Sequence, residues 1–314
     1  MAEQINSPSS VHPSGWEPVP LPYFRPQPQL PGPLPTEQEI AGSETVFRNN
    51  ERHHCVVAIG PHYVVKYGLG VRESEGQTML FLDHMTQDNP ISIPKLYAMY
   101  RVPETGLLYL VMERLAGVSL ENIWAELTED EKSTICGKLK AIFDTVHGIA
   151  PPNFYGTVTK GPIPHHLFYS REKDPDICGP FASEFAFNRS FVKNLRYIWA
   201  LNERYSHKAD FYAENIDAVF HDHPPMLTHG DLQRKNVIVR RVPSQLASSV
   251  APSDFEVALI DWEASGWYPS YWEYCGMFMA FLWDDDWAKR FAEIVAPCPN
   301  EAPMLRIIFQ DLFF

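Results

Sequence analysis

Cysteine is scarce in this chain of 314 residues: there are five, at 55, 136, 178, 275 and 298, with no close pair and no metal-type spacing. An odd, scattered set excludes a disulfide framework and a zinc ribbon, and points to a reducing compartment, the cytoplasm. Basic residues are in deficit too. Lys and Arg number 26 against 39 Asp and Glu, a formal charge of −13. That balance argues against a nucleic-acid-binding or anionic-membrane surface, where phosphate contacts need clustered cations. Long apolar runs are missing. The longest, Cys275 to Trp283, falls far short of the ~20 residues that span a bilayer. The N-terminal MAEQINSPSS also lacks the basic-then-apolar order of a signal peptide.

Apolar residues are plentiful at 45%, enough for one large domain or two lobes with a real core. Proline is concentrated at the start, with ten between Pro8 and Pro35. This composition favours extended polyproline-like chain, so residues 1–40 read as a tail. Trp16, Tyr23 and Phe24 in that tail suit either a packed arm or an interaction motif.

Two β-rich runs, Cys55–Ile59 and His62–Tyr67, flank Gly60-Pro61 and predict a hairpin. Lys66 is a cation within its second, apolar strand. A helix from about Arg72 to His84 follows, with Glu75, Met79 and Leu82 on one face by i, i+4, i+7 spacing. Leu107–Met112 is a compact apolar strand. Thr128 and Glu131 form a capping box that opens a helix whose Ile135, Leu139, Ile142, Phe143 and Val146 make one core stripe. His165-His166 has no Cys or carboxylate at metal-site spacing, which argues against zinc there. Further helices are expected over a stretch holding Phe187, Phe191, Leu195 and Ile198, from about Lys208 to His221, and at the end through Leu305, Ile308, Phe309 and Leu312.

The most informative stretch is Leu227–Tyr271. Val237–Val239 and Val257–Ile260 have the composition of two antiparallel strands, and the loop from about Arg241 to Phe255 reads as a surface insertion. Asn236 stands just before the first strand and Asp261 just after the second, so pairing sets an amide oxygen and a carboxylate side by side. Two hard oxygen ligands suit a magnesium ion. Asp231 lies on the loop leading into the same place.

The order His229-Gly230-Asp231, Asn236, then Ile260-Asp261-Trp262-Glu263 resembles the aminoglycoside phosphotransferase family, a small-molecule branch of the kinase-like fold. Gly179–Glu184 resembles its fungal members. The resemblance covers about Val46 to Tyr274 and implies an α+β, bilobal architecture: a small antiparallel-sheet lobe over 41–115 and a mostly helical lobe over 116–314. It implies ATP and Mg2+ in the cleft, with Asp231 orienting a small-molecule hydroxyl acceptor and accepting its proton, and Asn236 and Asp261 holding the metal. Lys66 and Glu75 correspond to the ion pair that holds the α- and β-phosphates, and the backbone at Glu113 and Leu115 to the adenine contact. His229 reads as a structural histidine that hydrogen-bonds the loop.

Two departures from the wider kinase pattern matter. Phe47–His54, where a phosphate-covering loop should stand, contains no glycine; Asn49 and Asn50 can turn the chain instead, and Arg48 or Arg52 can supply charge. Trp262-Glu263 replaces the Phe-Gly of protein kinases, and no Ala-Pro-Glu follows, which argues against a protein substrate. A catalytically inactive kinase-like binding or scaffold module is the alternative. Beyond Asp261, Glu263, Glu273 and Asp284–Asp286 alternate with Trp267, Trp272, Trp283 and Trp287. That mixture suits an acceptor carrying positive charge, although core tryptophans and an acidic helix start would produce the same sequence.

Overall fold

The computed structural model describes residues 13, 15–50, 53–201, 203–243, 254–280 and 285–313. Residues 1–12, Glu51 and Arg52 of the glycine-free loop, residues 244–253 of the expected insertion, and Trp283 and Asp284 lie outside them. The fold is α+β. One antiparallel sheet holds β1 (Tyr23–Phe24), β2 (Thr45–Asn50), β3 (His54–Ile59), β4 (Tyr63–Gly68), β5 (Leu96–Arg101) and β6 (Leu108–Glu113), in the spatial order β1-β5-β6-β4-β3-β2. Helix α1 (Glu37–Ala41) precedes β2, and α2 (Glu73–Met85) follows β4.

Strand alternation decides which side chains face α2 and which face away from it. Tyr63 and Val65 of β4 join Val57, Tyr97, Tyr109, Val111 and Ile40 of α1 in one buried cluster. Lys66, one position on, therefore faces the opposite side, where α2 lies. Gly76 lets α2 approach the sheet: a Cβ there would stand 2.5 Å from the Met99 sulfur and 3.1 Å from Leu110 Cδ2.

The proline-rich stretch read as a tail packs against this sheet from residue 15 onward. Trp16 is buried, β1 extends the sheet by pairing Tyr23 with Met99 and Phe24 with Ala98, and Tyr63 donates its hydroxyl to the Gly32 carbonyl at 2.6 Å. Leu30 and Leu34 cover the face opposite α2. The chain thus wraps around the β5 edge. Its aromatic residues outweigh its proline content because proline costs no extra backbone entropy when an extended segment docks.

After the sheet come β7 (Val118–Ser119), α3 (Leu120–Ile123), α4 (Glu129–His147), α5 (Pro175–Cys178), α6 (Glu184–Ala200) and α7 (His207–Asn215). The expected capping box on α4 is complete in both directions. The helix expected to reach His221 ends at Asn215 and passes into a tighter turn over Ile216–Ala218. There Asn188 and Arg189 of α6 bind the Asp217 carboxylate and pull the chain inward.

Strands β8 (Pro225–Thr228), β9 (Val237–Val242), β10 (Asp254–Leu259) and β11 (Gly266–Pro269) frame the site, followed by α8 (Trp272–Ala280), α9 (Phe291–Ile294) and α10 (Glu301–Phe313). β9 pairs antiparallel with β10 from Val237↔Leu259 to Val242↔Asp254, the hairpin expected around Asn236 and Asp261. The final helix, α10, packs its Leu305 and Ile308 with Phe187 and Phe191 of α6 and Trp272 of α8 in a second buried cluster. Among the described residues no helix is long and apolar enough to cross a membrane.

Candidate active site

Lys66, on the face of β4 that looks toward α2, is almost fully buried. Its ammonium stands 2.8 Å from Glu75 Oε2, 2.8 Å from Asp261 Oδ1 and 2.7 Å from Glu263 Oε2. The Glu75 contact is an ion pair between two buried side chains. Burial opposes the charge on Lys66, but Glu75, Asp261 and Glu263 outweigh it and raise its pKa. Burial pushes the Glu75 carboxyl up to about 7 against the pull of Lys66. Asp261 is also raised by burial, yet the charge and hydrogen bond of Lys66 leave it below the ordinary carboxylate range.

Asp261 adopts a left-handed backbone, φ 64°, ψ 63°, a conformation that Asp tolerates better than most side chains but that stores strain. Strain of this kind persists where the surroundings over-determine the position. Here the Ile260 N–H donates to the Asn236 carbonyl at 2.9 Å. That bond carries the β9–β10 ladder one pair past Val237↔Leu259 and brings Asn236 and Asp261 to the same end of the hairpin.

Asp231 is held by its neighbours. Asn236 Nδ2 donates to the Asp231 carboxylate at 2.9 Å and to its carbonyl at 2.8 Å, Gln233 donates to the other carboxylate oxygen, and Lys235 stands 3.6 Å away. With its NH2 so used, the Asn236 amide oxygen is the atom left to face a cation. His229 is fully buried and kept neutral by that burial. Its Nε2 donates to the Ile260 carbonyl at 3.0 Å and its Nδ1 accepts the Asp231 N–H at 3.3 Å. The imidazole links the two halves of the site and touches no cleft. Gly230 has φ +81°, and a Cβ there would lie 2.6 Å from the Ala264 carbonyl, so glycine is required between His229 and Asp231.

Glu113 closes β6. Its N–H is taken by the Lys95 carbonyl at 2.9 Å, and its carboxylate accepts the Lys95 N–H at 3.2 Å. Among the described residues the Leu115 N–H makes no hydrogen bond. Across the sheet, the glycine-free loop is drawn onto the turn after β4 by the Gly70 N–H, which donates to the His53 carbonyl at 2.8 Å.

The donor set suits magnesium. Among the described residues, Glu75, Asp261 and Glu263 form the group of carboxylates whose oxygens approach within 4.8 Å of one another, and Asn236 adds an amide oxygen at the same hairpin end. All are hard oxygen ligands. Lys66 supplies the balancing positive charge among the three acids.

On the far side of Asp231 is a cavity of about 120 Å³, lined by Gln233, His165, His166, Glu273, Met277 and Phe309, among others. The His165-His166 pair stacks at 4.0 Å and forms a wall of this cavity; no local pattern in the sequence signals that placement. Glu273 was expected to face an acceptor. It is instead buried beneath the loop, where it accepts the His229 N–H at 2.7 Å and the Gly230 N–H at 3.4 Å. Burial pushes its carboxyl up to about 7 despite those bonds.

Among the described residues, the remaining acids of the C-terminal stretch and all its tryptophans but Trp272 go elsewhere. Glu263 binds Lys66, Asp285 pairs with Arg234, and Asp286 is held by Lys132 and by Trp124 Nε1 at 2.8 Å each. Trp262, Trp267 and Trp287 are core residues, and Trp272 packs among Phe168, Phe187 and Tyr268 with one edge on the cavity. The physical reason is area: a buried indole removes far more apolar surface from water than a cation–π contact returns.

Residues 71–296 match the model of the phosphotransferase enzyme family. No curated protein matches the chain in sequence. Among solved structures it is similar to the aminoglycoside phosphotransferase APH(4)-Ia, with a TM-score of 0.54 and 16% identity over 85% of this chain and 83% of that one. A thermostable mutant of that protein in ternary complex with ADP and hygromycin B gives 0.53 and 15% over 88% and 89%. The GDP and kanamycin complex of APH(2")-IIia gives 0.51 and 10% over 87% of each chain. At these identities the likeness is one of fold, and the fold is the kinase-like one.

Proposed function

Because the chain belongs to the phosphotransferase enzyme family, we propose that it moves the γ-phosphate of ATP, taken as its magnesium complex, to a hydroxyl of a small molecule. The observation that carries this reading is the convergence of Lys66, Asp261, Asn236 and Asp231 at one end of the β9–β10 hairpin, through contacts of 2.8 and 2.9 Å. Phosphoryl transfer asks a protein chiefly to position groups and to neutralise charge.

Each residue then has one task. Lys66, steadied by Glu75, exchanges Asp261 and Glu263 for the α- and β-phosphate oxygens. Asn236 and Asp261 hold the magnesium ion, which supplies neutralisation of phosphate charge when bound. The Glu113 carbonyl and the Leu115 N–H take the adenine edge. Asp231, aimed by Gln233 and Asn236, orients the acceptor hydroxyl and accepts its proton. The acceptor enters by the cavity at His165 and His166. A positive charge on the acceptor would be met there by Asp231, a weaker field than the C-terminal acids would have made. The unpaired thiols of all five cysteines fit the cytoplasm, and Gly179–Glu184 supports a fungal-type member.

The test is magnesium-dependent ADP release in the presence of a panel of hydroxyl compounds, with neutral and amine-bearing members of one series compared at low and moderate salt. Acceptor-dependent release supports the reading; magnesium-ATP binding with no turnover on any acceptor moves it to a binding module. Equal specificity constants without salt dependence remove the positive charge from the acceptor and leave the transfer standing.

A further inference from the structure

Helix α2 carries Glu75 in its first turn, yet the side chain of its N-cap residue, Arg72, makes no capping hydrogen bond. An uncapped first turn leaves backbone donors unmatched and frays easily. Successive helix positions turn by about 100°, so Glu75, Gly76 and Gln77 face three ways. Glu75 meets Lys66, Gly76 lies on the sheet, and Gln77 points to the N-terminal arm.

Gln77 is polar and 1% exposed. Its amide donates to the Val19 carbonyl at 2.6 Å and accepts the Val19 N–H at 3.0 Å, the pairing a strand neighbour would make. One turn on, Phe81 meets the edge of Trp16 at 5.1 Å between centroids and Trp267 of β11 at 6.0 Å. Asp83 pairs with Arg25 at 2.6 Å, and Arg25 Nε also donates to the Leu96 carbonyl at 2.9 Å. The arm therefore grips α2 at three successive points while β1 fastens it to β5. Through Phe81 and Trp267 it also ties α2 to β11, whose partner β8 leads directly into His229.

We propose that residues 15–25 are a positioning arm for the nucleotide site, in which Trp16 and the Val19 backbone hold α2 at the depth where Glu75 meets Lys66. Neither residue reaches the cleft. They act through α2: if it lifts away, the 2.8 Å Glu75–Lys66 pair opens, and Lys66 is left to Asp261 and Glu263, aimed away from a nucleotide. What Lys66 binds rests on the phosphotransferase reading; the grip on α2 does not.

The test uses full-length Gln77→Leu, Trp16→Ala and Trp16→Phe, with Gln77→Leu also placed on Glu75→Gln. In the first two, KM for magnesium-ATP rises about fivefold or more, the lower range for coupling between sites. Their kcat at saturating ATP stays within about twofold of the parent, and hydrogen exchange over residues 73–79 accelerates. Trp16→Phe stays near the parent. On Glu75→Gln, Gln77→Leu adds no further rise in KM, because its effect runs through Glu75. A lowered melting temperature with unchanged KM makes the arm merely structural and overturns the proposal, as does an additive loss in the double variant. A parent chain that turns over no ATP defeats the phosphotransferase reading instead; unchanged exchange over 73–79 then overturns the arm as well.

Discussion

Asp231 and Asp261 stand at the same end of one hairpin but answer to different partners, and the difference is testable. Asp231 is held by the amide donors of Gln233 and Asn236, whereas Asp261 is bound to Lys66. Asp231→Asn is expected to keep magnesium-ATP binding while turnover falls by about two to four orders of magnitude. Asp261→Asn, which tolerates the left-handed backbone, is expected to lose the magnesium-dependent stabilisation of about 2.7 kcal/mol that the parent gains at a hundredfold excess of nucleotide over Kd. Thermal shifts with and without magnesium, beside turnover on an identified acceptor, separate the two; swapped phenotypes would reverse the assignments. Glu273 makes a pH prediction. Its carboxyl ionises near 4.5 when unfolded and at about 7 in the fold. Between those values the native chain keeps a proton that the unfolded chain has lost, so stability falls as pH rises through that window and levels off above it. Glu273→Gln keeps an oxygen for the His229 and Gly230 N–H groups and abolishes the titration. Urea unfolding of both proteins from pH 5 to 8 should show the parent losing up to about 1.4 kcal/mol per pH unit relative to the variant; a flat difference would mean that Glu273 titrates normally.

At the level of elements, the β9–β10 hairpin and α2 could be read from residue type and spacing alone, because their signals are local. β-branched runs, a capping box and an i, i+4, i+7 stripe describe neighbours within a few residues of one another. The arm could not be read that way. Trp16 and Val19 find their partners on Phe81 and Gln77, more than fifty residues away, and the prolines that make the segment look like a tail also suit an extended strap. Helix α7 ends early for the same reason: nothing before Asp217 breaks the helix, but Asn188 and Arg189 bind that carboxylate from another element.

Across the molecule, a single apolar cluster runs from Phe81, Leu108 and Leu110 of the sheet lobe through Leu139 and Phe143 of α4 to Val237 and Leu259 of the hairpin. A core shared in this way predicts one cooperative transition. Near-ultraviolet circular dichroism, which reports the buried tryptophans, and far-ultraviolet circular dichroism should give coincident melting curves; two separated transitions would show lobes that unfold independently. The meeting of the polar residues at the hairpin end was already present in short-range order. His229, Asp231, Asn236 and Asp261 sit at intervals that only a loop and one hairpin need to close, so their meeting follows from local propensity. Assignments that depend on distance went differently. Glu263 and Glu273 are alike as letters beside tryptophans, yet packing turns one toward Lys66 and buries the other under the His229-Gly230 turn. His165 and His166 acquire a place beside Asp231 only because α8 and α10 bring Trp272 and Phe309 against them. Burial and partner choice are properties of the whole packed chain, and a side chain's charge or ring does not carry them.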